Sequence, residues 1–115
     1  MQKPLSYSGV LPHGLSIEGV IYKHFEMREA FLADMIEAEV DSGGAGNSIH
    51  YNAQLAVRQM TRVHDNAGNE FAGPFVVSMI KKRGDFLALR QGQIKLDELG
   101  NAEPSASENI GAPSS

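Results

Sequence analysis

The chain has 115 residues, with 10 Lys plus Arg against 14 Asp plus Glu and a net charge of −4. That length suits one domain around a modest core, whose stability gains from self-association. The lack of cysteine excludes disulfides, thiol catalysis and thiolate metal sites, no apolar run reaches the roughly 20 residues that a bilayer-spanning helix needs, and the acidic balance disfavours a general nucleic-acid binder.

Residues 5–27 read as strands. Leu5, Tyr7 and Gly9 alternate with Ser6, Ser8 and Val10, and Pro12-His13-Gly14 reads as a turn. Leu15 and Ile17 alternate with Ser16 and Glu18, and Glu18-Gly19 reads as a second tight turn before Val20, Tyr22 and His24. The pattern predicts an antiparallel meander of two or three strands, which needs a helix over one face.

The period changes after Arg28. Phe31, Met35 and Ala38, with Leu32, Ile36 and Val40 beside them, predict a helix over 29–41 with a wide apolar stripe. Asp34, Glu37 and Asp41 share its opposite side. The glycines of 43–46 stop it, and Ser48 is a suitable N-cap for the next helix. There Ile49, Ala53, Ala56, Met60 and Val63 step by four and three, which predicts a second helix running through Val63.

Residues 64–69 read as a turn. Gly73-Pro74 opens a short helix carrying Phe75, Val76, Met79 and Ile80, with Lys81-Lys82-Arg83 at its C-terminus and Gly84 ending it. Asp85 is the expected N-cap of a last helix holding Phe86, Leu89, Leu96 and Leu99, in which Gly92 costs about 1 kcal/mol of propensity. From residue 100 the composition is small and polar, with Ile110 its one large apolar residue. The expectation is an α+β fold, an N-terminal antiparallel β-meander packed by three to four helices, forming a single domain over 1–99 with a disordered tail over 100–115.

Charge is uneven along this plan. Residues 26–41 hold six carboxylates against one arginine, and residues 58–95 hold seven cations against three carboxylates. One reading is that the two regions face one another or are solvated separately; the other is two complementary surfaces that steer subunits or partners together.

No group of residues reads as an active site. The four histidines are scattered and none has helical metal-site spacing, and His64 is expected at a helix C-terminus. Asp34, Glu37 and Asp41 read as a solvated face rather than a paired-carboxylate site. The glycine loop at 43–48 lacks the Gly-Lys-Ser/Thr ending of a phosphate-binding loop, and no serine sits in a Gly-x-Ser-x-Gly context. The chain is expected to be no enzyme and to hold no metal and no cofactor.

Several short motifs carry a family likeness. Leu11-Pro12-His13-Gly14-Leu15, Glu18-Gly19-Val20-Ile21-Tyr22, Phe25-Glu26-Met27-Arg28-Glu29, Asp34 and Ala38-Glu39 follow in order, then Gln54-Leu55-Ala56 with Arg58 and Arg62, then Gly84-Asp85-Phe86-Leu87-Ala88-Leu89. Over residues 10–90 the chain resembles the Mu-like phage tail assembly chaperones, and it departs from them at residues 71–76, where a Leu-Thr-type helix start is expected. The resemblance implies a non-enzymatic protein of the bacterial host cytoplasm that coats the tape measure protein until tail tube subunits polymerise around it. It implies the tape measure protein as partner, the tail tube protein as a second one, a homo-oligomer, and neither nucleic acid nor membrane.

A chaperone of this kind holds amphipathic helices reversibly, which favours apolar grooves with adaptable methionines. Phe31, Met35, Met60 and Met79 are the partner-binding candidates. Arg28 reads as a strand-to-helix junction residue paired with Glu29 or Asp34. The alternatives are a small DNA-binding regulator using helices at 75–97 and a minor structural virion component.

Overall fold

The computed structural model describes residues 4–44, 46 and 48–100. The expected tail beyond Gly100 lies outside the described residues. The fold is α+β: a four-stranded antiparallel sheet in the order β1-β2-β3-β4 and three helices. The strands are β1 (Ser6–Ile17), β2 (Val20–Arg28), β3 (Met60–His64) and β4 (Glu70–Phe71); the helices are α1 (Leu32–Ser42), α2 (Ser48–Gln59) and α3 (Arg83–Gly100).

The β1–β2 hairpin turns at Glu18-Gly19, as the sequence predicts. Both residues have positive φ, 52° and 83°, the geometry of a two-residue turn whose twist matches the flanking strands. Pro12-His13-Gly14 is not a turn. It is an irregularity inside one long strand, where the register shifts between Val10 and Leu15. Asp85 of α3 accounts for it: its Oδ1 accepts the His13 N–H at 2.9 Å and the Gly14 N–H at 3.4 Å. Asp85 is 1% exposed, and its other oxygen has no partner among the described residues. It therefore ties the helix to the sheet instead of capping α3.

The second helix is shorter than its periodicity suggests. Met60–His64 leaves the helix and becomes β3, the third strand of the sheet. Met60 pairs with Met27 and Arg62 with Glu26, so Thr61 is the extra residue of a bulge. The bulge lets Met60 and Val63, three apart, both face inward, and that spacing imitates a helix. His64 accordingly sits on a strand, stacked on His24 at 5.0 Å.

The 70s also differ from expectation. Gly73-Pro74 is a cis peptide followed by extended backbone, with a single 3-10 turn at Val77–Met79 in place of a helix. Lys81-Lys82-Arg83 thus lies at the N-terminus of α3 rather than the C-terminus of a preceding helix, and Gly84 lies inside α3.

Leu11, Leu15, Phe25, Met27, Ala56, Val63, Leu89 and Leu96 form the dry centre between sheet and helices. The two buried glutamines there are paired: Gln59 Nε2 donates to the Arg28 carbonyl at 3.0 Å, and Gln93 Nε2 donates to Gln59 Oε1 at 2.9 Å and to the Asn52 carbonyl at 3.1 Å. The helix α3 lies close on the sheet at Gly92. A methyl group built there would meet Met27 Sδ at 2.5 Å and Tyr7 Cδ2 at 3.0 Å.

Helix propensity alone says that Gly92→Ala stabilises by about 1 kcal/mol, while forcing a methyl into a filled core costs typically about 1–3 kcal/mol. The contact wins here because Met27 is fully buried. Gly92→Ala should lower stability by roughly 1 kcal/mol in urea unfolding; a gain would show that α3 has slack against the sheet.

Candidate partner-binding surface

Two guanidinium groups decide where α1 sits. Arg28, the last residue of β2, donates to Asp34 from both terminal nitrogens, at 2.7 and 3.2 Å. It also donates to the Glu29 carbonyl at 2.9 Å and the Arg58 carbonyl at 3.0 Å. Its guanidinium lies 4.7 Å from the centre of the Phe31 ring. Asp34 Oδ2 in turn accepts the Phe31 N–H at 2.8 Å, which closes the first turn of the helix.

The junction residues named from the sequence therefore come together. The Asp34 carboxylate and the Glu29 carbonyl both accept hydrogen bonds from Arg28. The Glu29 carboxylate accepts the Leu5 N–H at 2.9 Å instead.

Arg58, near the end of α2, grips the other end of α1. It donates to Glu37 at 3.3 Å and to Asp41, and is braced by the Gln54 carbonyl at 2.9 Å and the Gln54 side chain at 3.0 Å. Gly43, with φ of 80°, ends the helix, and its neighbour's N–H reaches the Glu39 carbonyl at 2.9 Å. A third cation, Arg62 on β3, links Glu26 and Glu70 across three strands. The acidic and basic halves of the sequence thus meet within one molecule.

Fastened this way, α1 buries only Ala38 and Ser42. Its opposite side bears Leu32, Ile36 and Val40 at four-residue spacing, exposed to 69%, 52% and 73%. These make one apolar stripe about 12 Å long, on a helix with four carboxylates and no Lys or Arg. Contiguous apolar surface of this kind marks interaction sites.

A second open surface is built from α2, the 3-10 segment and α3. Ile49 and Ala53 of α2, Val77 and Ile80 of the 3-10 segment, and Phe86 and Leu87 of α3 wall a cleft of about 500 Å³. Lys81, Lys82 and Arg83 form its rim. All three are exposed, and none makes an ion pair among the described residues. They also stand at the positive end of α3, where cations are disfavoured by the helix dipole. No group of three or more metal-ligating side chains occurs among the described residues, and none of their helices is long and apolar enough to cross a membrane.

The four candidates from the sequence do not share one surface. Phe31 (44% exposed) and Met35 (37%) lie together at the start of α1. Met60 is buried in the core opposite Met27, and Met79 is partly buried against it. Buried Met60 is a packing residue, not a groove residue. Leu32, Ile36 and Val40 form a separate exposed face of α1 that the candidate set does not include. Their signal is the width of the α1 stripe, broader than one packing contact can bury. The cleft has no local signal, because three segments far apart in sequence build it.

No family model, no curated protein and no solved structure matches this chain.

Arg28 and the Phe31 N–H hold the Asp34 carboxyl below its ordinary 3.8, outweighing the opposing effect of burial. Because the folded value is depressed, the stability that Asp34 contributes is complete above the unfolded value near 3.8 and is lost as pH falls through the lower folded value. Asp34→Asn should therefore flatten the acid limb of a stability–pH profile below about pH 4. Arg28→Ala should cost about 2 kcal/mol, read as a fall in Tm of roughly 10 °C. Lost partner binding with unchanged melting would contradict this structural role.

Proposed function

We propose that this chain is a tail assembly chaperone of the Mu-like phage type. It is a non-enzymatic protein of the bacterial host cytoplasm that binds amphipathic helices of the tape measure protein until tail tube subunits replace it. The observation that carries this reading is the cleft of Ile49, Ala53, Val77, Ile80, Phe86 and Leu87, an apolar groove between elements with a cationic rim. An amphipathic helix laid in such a groove buries its apolar side chains while its flanking carboxylates meet the rim.

The motif likeness over residues 10–90 supports the same reading, since its Arg-Glu junction coincides with the Arg28 clamp. Reversible holding is consistent with a shallow groove rather than an enclosed pocket. Release in favour of tube subunits needs only modest affinity for each helix.

The test is co-expression of the tagged chain with the tape measure protein, followed by pull-down. The expected result is a soluble complex with several copies of this chain. Leu87→Glu places a charge on the cleft wall at an exposed position, and should abolish capture with Tm within about 2 °C of wild type. A tape measure protein that aggregates beside a soluble, unbound wild-type chain would overturn the reading.

A further inference from the structure

We infer that the cleft of one copy receives the α1 helix of a second copy, so that the protein assembles head to tail. On the chaperone reading a tape measure helix lies in the same cleft and several copies are expected; the surfaces that join those copies are the cleft and α1, and the two occupants compete for the cleft. Each molecule carries both halves of the joint. The cleft offers an apolar floor beside three cations at the positive end of α3, none of which makes an ion pair among the described residues. Helix α1 offers the apolar stripe Leu32, Ile36 and Val40 on an acidic element without a basic residue in its last turn.

Glu39 borders that stripe and makes no ion pair among the described residues. The negative end of α1 and Glu39 thus meet a rim of cations that make no ion pair among the described residues. Within one molecule the joint cannot close, because Arg28 and Arg58 hold α1 by its other side against α2. The contact joins two different surfaces, so it propagates into a ring or an open chain unless two joints close reciprocally in one two-fold pair.

A mixing experiment reads this directly. Variant A, Lys81→Glu/Lys82→Glu/Leu87→Glu, spoils the cleft and keeps the stripe; variant B, Ile36→Lys/Glu39→Lys, does the reverse. All five positions are exposed, and melting curves check that both variants fold; if A melts early, Leu87→Glu alone replaces it. In light scattering the wild type should exceed monomer mass with concentration and shrink with added salt. A and B alone should each be monomers, and their equimolar mixture should form a one-to-one dimer through its single intact joint. Assembly of either variant alone, a mixture that stays monomeric, or a wild type monomeric at every concentration would overturn the inference. A monomeric wild type that still captures the tape measure protein would leave the proposed function standing.

Discussion

The position of α1 depends on the pair of guanidinium groups at Arg28 and Arg58. A helix of this length normally docks by burying an apolar face, yet α1 buries only Ala38 and Ser42. The rest of its attachment is charge-assisted hydrogen bonding. Isolated surface ion pairs contribute little, but Arg28 and Asp34 are mostly shielded, at 25% and 13% side-chain exposure, and their geometry is two-pronged. The Arg28 bond to the Arg58 carbonyl links the clamps into one network. Such an anchor holds a helix in place without using its apolar side chains, and so leaves Leu32, Ile36 and Val40 free for another surface.

The clamp works only because the platform under it is rigid. Helix α3 is set on the sheet by the close approach at Gly92 and by Asp85, which takes two backbone N–H groups from the irregular stretch of β1. Buried Gln59 and Gln93 then connect α2, α3 and the end of β2 through one chain of hydrogen bonds. These contacts fix the distance between α2 and α3, and hence the width of the cleft. Sheet packing, helix spacing and the geometry of the proposed binding groove are consequences of the same few buried groups.

Much of this was legible in the sequence, and the failures have physical causes. The hairpin turn at Glu18-Gly19, the α1 stop at the glycines and the Arg28 junction are local events, encoded by residues near one another. The end of α2 was misread because a β-bulge at Thr61 places Met60 and Val63 on one face at a helix-like spacing. Pro12-Gly14 and Asp85 were misread because a tertiary contact over more than 70 residues overrides the local turn and cap signals. The short helix after Pro74 failed for a related reason: Phe75 is drawn into the core against Phe71, edge to face at 5.3 Å, which holds the segment extended. Methionine content was a poor guide to the open surface, since Met60 fills the core while exposed Leu, Ile and Val form the stripe.

The central claim is that α1 is an outlying element held by charge rather than by the core, with its apolar stripe open for docking. Native-state amide hydrogen exchange on the full chain tests this most directly. The α1 amides should exchange through a local opening with a free energy well below that of β2 and α3, and Arg58→Ala should lower protection in α1 while leaving Phe25 and Met27 unchanged. Protection of α1 equal to that of the core strands, falling with them in step in Arg58→Ala, would contradict it.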